Sequence, residues 1–294
     1  MHNLARDLVA GAVDLHIHAA PDIVPRLLDD LGLARAARDA GMAAIVLKSH
    51  HMLTADRAQI AQKVFPEVKL FGGLALNLPA CGGLNPEAVK VAIRMGAKII
   101  WLPTLSAANH IAGIRTKVTG NLGVMSSGFK SQPVPVVSDD GVVRPELVEI
   151  LELIAQADIV LATGHLSVPE IKVVVNAAVA AGVRKILVNH PELWLIGMSV
   201  EDQRELAAKG PVMEMCIRSV TAPGNEHRSP MLIADQIRAV GARSVVMATD
   251  FGQVDSPPAP EGMRWYMAQM LECGIPPEDI ELMTKVNPAK LLGL

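Results

Sequence analysis

Residues 12–18 read AVDLHIH, an apolar run closing on His16 and His18. In an extended chain, residues two apart point to the same side, so both imidazoles can address one point. Later apolar runs end in the same way. DIVLAT (158–163) leads into His165, KILVN (185–189) into His190, and SVVMAT (244–249) into Asp250. Neutral imidazoles and a carboxylate gathered from the ends of separate strands make a divalent-metal site. The pattern points to a metal-dependent enzyme.

The remaining runs set the fold. AVDLHI (12–17) is followed by AAIVLK (43–48), KLFGGLAL (69–76) and KIIWLP (98–103), and PVMEMC (211–216) precedes the last of the runs above. They are continuous rather than alternating, as in parallel strands buried on both faces. Helical patterns separate them. LDDLGLARAARDAG (28–41) stops at Gly41, while NPEAVKVAIRMG (85–96) has Asn85 as cap, Pro86 at the first helical position and Gly96 as its stop. SVPEIKVVVNAAVAAG (167–182) offers a capping box of Ser167 and Glu170, and SVEDQRELAAKG (199–210) repeats the logic with Ser199 and Asp202. Eight strand–helix units predict an α/β chain folded as one (β/α)8 TIM barrel domain over residues 1–294. A doubly wound open sheet is the rival, and no glycine-rich phosphate loop follows the first strand to support it.

One stretch breaks the rhythm. About forty residues separate the fourth strand from the helix starting near Pro145, far more than an ordinary connection. Its second half, PVPVVSDDGVV, sets Asp140-Gly141 between valine runs and predicts a β-hairpin insertion after strand 4. Its first half carries His110, Arg115, Lys117 and Lys130. The insertion is expected over the C-terminal ends of the strands, where barrel enzymes keep their active sites.

Composition bounds the rest. Hydrophobic residues make up 50% of 294 and charged residues 19%, which secures a sizeable core and excludes a disordered chain. Aromatics are only 3%, so Ala, Val, Leu, Ile and 14 Met must fill that core. A net charge of −3 without basic or acidic blocks argues against nucleic-acid or membrane partners and leaves a small-molecule substrate. Cys81, Cys216 and Cys273 form no CxxC pair and suit reduced thiols. With no cleavable leader and no apolar stretch of roughly 20 residues, a cytoplasmic location is expected. The apolar composition is compatible with a homo-oligomer.

Taken together, DLHIH (14–18), the GH of ATGHLS (162–167), the NHP of VNHP (188–191) and the TD of ATDFG (248–252) resemble the amidohydrolase superfamily of metal-dependent hydrolases. The closing NPAKLLGL (287–294) is similar to a tail common in that superfamily, and the resemblance spans nearly the whole chain. TGHLSVPE and VVSDDG are similar to a smaller amidohydrolase-like family, which implies no substrate. The resemblance implies that His16, His18, His165 and Asp250 bind metal, with His190 a further ligand or a hydrogen-bonding partner of the substrate. Zinc is the default ion for such a set, and manganese, iron or nickel suit the same ligands. Asp250 would take a proton from attacking water and return it to the leaving group.

The chain departs from the superfamily where many binuclear relatives carry a bridging carboxylated lysine or glutamate at the end of strand 4. Here that place reads WLPT (101–104). Lys48, closing strand 2, is the nearest substitute: it can be carboxylated and bridge two metals, or stay an ammonium and pair with Asp250 or a substrate carboxylate. The metal count is one or two accordingly. His50, His51, Asn77 and Arg218 are expected as substrate contacts, Arg26 as an anion contact or a surface ion pair, and Cys216 as a small core residue. Glu214, inside strand 7, should point into the barrel or pair with a base, because an unpaired buried carboxylate is costly. The reaction expected first is hydrolysis of an amide, cyclic amide, lactone or ester; the second is decarboxylation at a single metal. A PHP-type phosphoesterase also opens on HxH, but ATDFG does not match its SDAH-like ending. A decayed, non-catalytic barrel is disfavoured by the full ligand set.

Overall fold

The computed structural model describes residues 8–116, 132–222 and 229–294. Eight parallel strands run in sequence order: β1 (Val13–His18), β2 (Ala44–Lys48), β3 (Lys69–Ala75), β4 (Ile99–Trp101), β5 (Val160–Ala162), β6 (Ile186–Asn189), β7 (Val212–Cys216) and β8 (Val245–Ala248). The barrel closes where the chain leaving β8 meets β1. Asp250 N donates to His16 O at 2.9 Å and His18 N to Phe251 O at 2.8 Å. The eight strands and their order are those expected from the apolar runs.

Among the described residues, the α-helices of six or more residues are α1 (Asp30–Asp39), α2 (Ala55–Val64), α3 (Pro86–Arg94), α4 (Ala108–Thr116), α5 (Pro145–Ala157), α6 (Val168–Ala180), α7 (Val200–Ala207), α8 (Pro230–Val240), α9 (Ala259–Glu272) and α10 (Asn287–Leu292). Their starts follow the predicted chemistry. Asn85 Oδ1 accepts from Ala88 N at 3.1 Å, Ser199 Oγ from Asp202 N at 3.0 Å, and the Glu170 carboxylate reaches back to Ser167 N at 2.8 Å. Each bond satisfies an amide that the first helical turn leaves without a partner. No helix among the described residues is long and apolar enough to cross a membrane.

Two cores result from this layout. Ile45 and Leu47 of β2, Ile100 of β4 and Met247 of β8 pack outward against the helices, in one large cluster. Val13 and Leu15 of β1, Ala44 and Val46 of β2, Trp101 of β4 and Val246 of β8 fill the lumen. Leu291 and Leu292 of α10 belong to the lumen cluster, and α10 ends beside Lys185, just ahead of β6. The terminal helix thus plugs the N-terminal end of the barrel and leaves the other end for chemistry.

β1 carries an irregularity that aims the site. Asp14 pairs with Ile45 but Ile17 with Leu47, so β1 takes three steps where β2 takes two. This is a β-bulge. Leu15 lies in the lumen cluster and Ile17 in the outer one, so a strict alternation would have placed them on the same face. The extra residue turns His16 and His18 inward.

The insertion after β4 differs from expectation. Val137 and Val143 form one antiparallel bridge around Asp140-Gly141, with Ser138 N donating to Val142 O at 2.8 Å and Arg144 N to Val136 O at 3.1 Å, and among the described residues the pairing extends no further. Pro133 and Pro135 lack the N–H groups that a ladder needs, and Val134 N donates instead to Ser106 O at 2.8 Å. The expected hairpin is reduced to this one bridge and its turn. Lys117 and Lys130 lie outside the described residues, as does the side chain of Arg115.

Leu292→Ala should cost about 2–5 kcal/mol, since it opens a cavity under the lumen. Urea unfolding would measure this, and an unchanged midpoint would show that α10 does not seal the barrel.

Candidate active site

Three potential donor atoms meet at the C-terminal mouth. His16 Nε2 lies 3.0 Å and His18 Nε2 3.1 Å from the same oxygen, Asp250 Oδ1. Metal bonds of about 2.0–2.2 Å bring neighbouring ligand atoms to about 3 Å, so the donor set suits a divalent ion. The other ring nitrogen of His16, Nδ1, is held by Glu214 Oε2 at 3.1 Å, and Asn189 Nδ2 donates to that oxygen at 2.6 Å. A carboxylate on Nδ1 leaves Nε2 as the ligating atom. His16, His190, Glu214 and Cys216 form a second, wholly buried group whose donor atoms also lie within 4.8 Å of one another. The outer group is the better ion site, because Asp250 reaches solvent (21% exposed) whereas burial holds the Cys216 thiol well above its ordinary range and therefore protonated.

Lys48 Nζ lies 2.8 Å from His16 Nε2 and 5.5 Å from the centre of the Trp101 ring. Burial lowers its pKa, with Asp250 and Glu214 pulling the other way. His16 balances oppositely: burial and Lys48 depress it, but the Asp250 and Glu214 carboxylates prevail and raise it. Those carboxylates stay ionised despite burial because His16 faces both, which brings Glu214 down to about 2 and Asp250 well below its ordinary range.

More imidazoles ring this centre. The His190 ring lies 4.9 Å from that of His16 and 5.6 Å from that of His165; the His50 ring lies 4.9 Å from that of His18 and 5.9 Å from that of His165. His165 Nδ1 sits 2.8 Å from His110 Nδ1, so the first half of the insertion does reach the mouth. Burial brings His18 down to about 3 and His110 and His190 to about 4, and pushes His50 and His165 well below the ordinary value. All five are neutral at pH 7, the state in which an imidazole binds metal.

The other anticipated contacts are arranged differently. Asn77 is buried and committed within the protein: its amide donates to His50 O and Thr104 Oγ1 and accepts from Thr104 N and Ser106 N, at 2.7–3.0 Å. It braces the loops after β2 and β4. Arg218 reaches Ser256 Oγ at 2.9 Å and Asp255 Oδ2 at 3.0 Å, on the loop after β8. Arg26 pairs with Asp22 Oδ2 at 2.7 Å, and His51 Nδ1 lies 3.2 Å from Asp22 Oδ1. Neither Asp22 nor Arg26 is a surface pair: their side chains are 0% and 4% exposed. Arg26 also helps to depress His18, which places its charge near the ligands.

Three buried acids were not singled out by sequence reasoning. Asp14 accepts from His16 N and from Thr249, and burial raises its pKa to about 7. Glu192 accepts from Cys216 N at 2.8 Å and Ser219 Oγ at 2.6 Å, and burial likewise raises it to about 7. Asp22 is the third. The available signal was the placement of Asp14 inside an apolar run and of Glu192 two residues beyond His190.

The fold is that of amidohydrolases and their decarboxylase relatives. Over 99% of this chain and 97% of the other, it matches an amidohydrolase from Pseudomonas aeruginosa with a TM-score of 0.60 at 12% identity. A 2,6-dihydroxybenzoate decarboxylase from Rhizobium matches with a TM-score of 0.52 at 13% identity, over 97% of this chain and 99% of the other. A phosphotriesterase homology protein from Escherichia coli, with phosphate in its active site, matches with 0.56 at 11%, over 96% and 99%. No curated protein matches the sequence. The chain belongs to the family described as "Family of unknown function (DUF6282)", whose model matches residues 11–214.

Unfolded imidazoles take up protons below about 6.5, and the five buried ones refuse them, so the fold loses stability as pH falls from 6.5 toward 4. Asp14 and Glu192 act oppositely, since their raised pKa favours the fold toward low pH. His16, raised by the Asp250 and Glu214 carboxylates, acts with those two acids, and the five outnumber the three. Metal-free protein should therefore unfold at lower urea concentration at pH 5 than at pH 7, and an equal or higher midpoint at pH 5 would refute this balance.

Proposed function

We propose that this chain is a metal-dependent hydrolase of a small-molecule amide, cyclic amide, lactone or ester. The observation that carries the reading is the convergence of His16 Nε2 and His18 Nε2 on one Asp250 oxygen, at 3.0 and 3.1 Å, in the open mouth of the barrel. His16, His18 and Asp250 would hold a divalent ion, zinc by default, with His165 and His190 as further ligands across the mouth. Such an ion supplies Lewis acidity and makes hydroxide available near neutral pH.

The residues supply the rest. Asp250 would take the proton given up by the attacking water on its second carboxylate oxygen and hand it to the leaving group. His190, neutral at pH 7, would instead donate its N–H to the oxygen on which charge develops where it does not ligate the ion. Glu214 keeps His16 Nδ1 protonated and its ring oriented. Lys48, with its lowered pKa, can be carboxylated and bridge a second ion, or as an ammonium pair with Asp250 or a substrate carboxylate. His50, His51, Arg26 and Arg218, on the loops of the mouth, are candidate substrate contacts, although Asp22 engages Arg26 and His51, and Asp255 and Ser256 engage Arg218.

Decarboxylation at a single ion is the second reading. It is favoured by the end of β4, where Trp101 fills the lumen and offers no bridging group. Elemental mass spectrometry on protein purified without chelator bears on the choice: two ions per chain support the bridged hydrolase, one shifts weight to a mononuclear hydrolase or the lyase, and none after reconstitution overturns both.

His16→Ala and Asp250→Asn should each lower turnover at least about 100-fold, as the loss of a general acid–base group does, and lower bound metal with the fold intact. Assays on ester, lactone, amide and carboxylic acid panels would check this; full activity in either variant would sink the site. Lys48→Met should lose activity and, where Lys48 bridges, half of the metal. Unchanged metal and rate would remove it from the mechanism.

A further inference from the structure

The sequence of contacts around Asp14 assigns it a function. Its side chain lies on the outer face of β1, fully buried, at the seam where the barrel closes. Oδ1 accepts from His16 N at 3.1 Å and from Thr249 N at 3.2 Å, and Oδ2 accepts from Thr249 Oγ1 at 2.6 Å. His16 is the residue at the bulge, where a backbone N–H falls out of the regular ladder. Thr249 immediately precedes Asp250, whose φ of 54° is left-handed. One carboxylate therefore ties down the two backbone irregularities that aim His16 and Asp250.

We propose that Asp14 and Thr249 are the positioning pair of the metal site, setting the spacing between the two strand ends that carry its ligands. The proposal rests on the metal-site reading above and goes beyond it, since neither residue touches the ion or the substrate. The seam has further ties. Asp250 N donates to His16 O, and Phe251 N lies 3.3 Å from Thr249 Oγ1. Without the carboxylate, His16 N and Thr249 Oγ1 would both be buried without their acceptor, and the loop after β8 could settle elsewhere. The spacing of His16 Nε2 from Asp250 Oδ1 would no longer be held before the ion arrives. Outer partners of this kind are worth about 10–100-fold in metal affinity.

The test is Co(II) binding to the full chain, followed through the ligand-field absorption that reports coordination geometry. Thr249→Val should weaken Co(II) binding by about 10–100-fold and change the absorption spectrum. Thr249→Ser, which keeps the hydroxyl, should recover both. The control is Thr284→Val, which removes an equally buried hydroxyl bonded to Ile280 O at 2.6 Å in the C-terminal region. It should lower the urea midpoint and leave Co(II) affinity and spectrum unchanged. Wild-type affinity and spectrum in Thr249→Val, or a Ser variant as weak as the Val variant, would overturn the proposal. Should Thr249→Val fail to fold, Asp14→Asn, which replaces one acceptor oxygen by a donor, is read against the same outcomes. Equal Co(II) binding by wild type and His16→Ala would instead overturn the metal-site reading itself.

Discussion

Parallel strands put successive side chains on opposite sides of the barrel wall, so a shift of one residue exchanges lumen for helix layer. β1 is under this constraint more than any other strand. Its first residues, Val13 and Leu15, are needed in the lumen, while His16 and His18 must also face inward at the mouth. No regular strand satisfies both. The bulge between Asp14 and Ile17 resolves the conflict within four residues, and the site depends on it: the Asp250 oxygen, the Glu214 carboxylate and the Lys48 amine are all placed relative to the His16 ring. A barrel supports this because its other strands fix the wall on both sides of the defect.

The electrostatics have the same centre. Two carboxylates, half-buried Asp250 and buried Glu214, stay ionised at this centre with positive charge beside them. Lys48 and a proton on His16 can each supply part of it, and a divalent ion on His16 Nε2 would supply it without that proton. This gives a reason for the sheath of neutral imidazoles. They can coordinate or hydrogen-bond without adding charge, in a region where every further charge would be expensive.

Much of this was legible in the chain. The apolar runs, the helix caps and the residues at the strand ends are local signals, and local chemistry reads well from sequence. The pairing around Asp140-Gly141 stays at a single bridge for a local reason too, because Pro133 and Pro135 lack the N–H groups to extend it. What escaped was set by distance. Asp14 meets Thr249 across 235 positions, and while Glu214 reads as a carboxylate that should point inward or pair with a base, that base, His16, lies 198 positions away. Asn77 sits at a strand end like a substrate contact, yet its amide is used to join two loops. Strand-end position alone does not separate residues that face the reaction from residues that hold the rim.

Backbone strain marks the boundary between those two groups. Among the described non-glycine residues, left-handed φ occurs at Asp158, His190 and Asp250. Asp158 is a helix end, where that conformation is ordinary. His190 and Asp250 follow the last residues of β6 and β8, and the turn there lets each side chain swing back over the lumen instead of continuing along the strand. Gly252 completes the second turn: with φ at 127° it lies so close to the His18 carbonyl that a Cβ would overlap it. The strain is tolerable because the hydrogen bonds of the seam over-determine the local path. The geometry at the mouth is therefore a property of the closed barrel, in which β1 and the chain leaving β8 constrain each other, and neither strand end would hold its ligand in place alone.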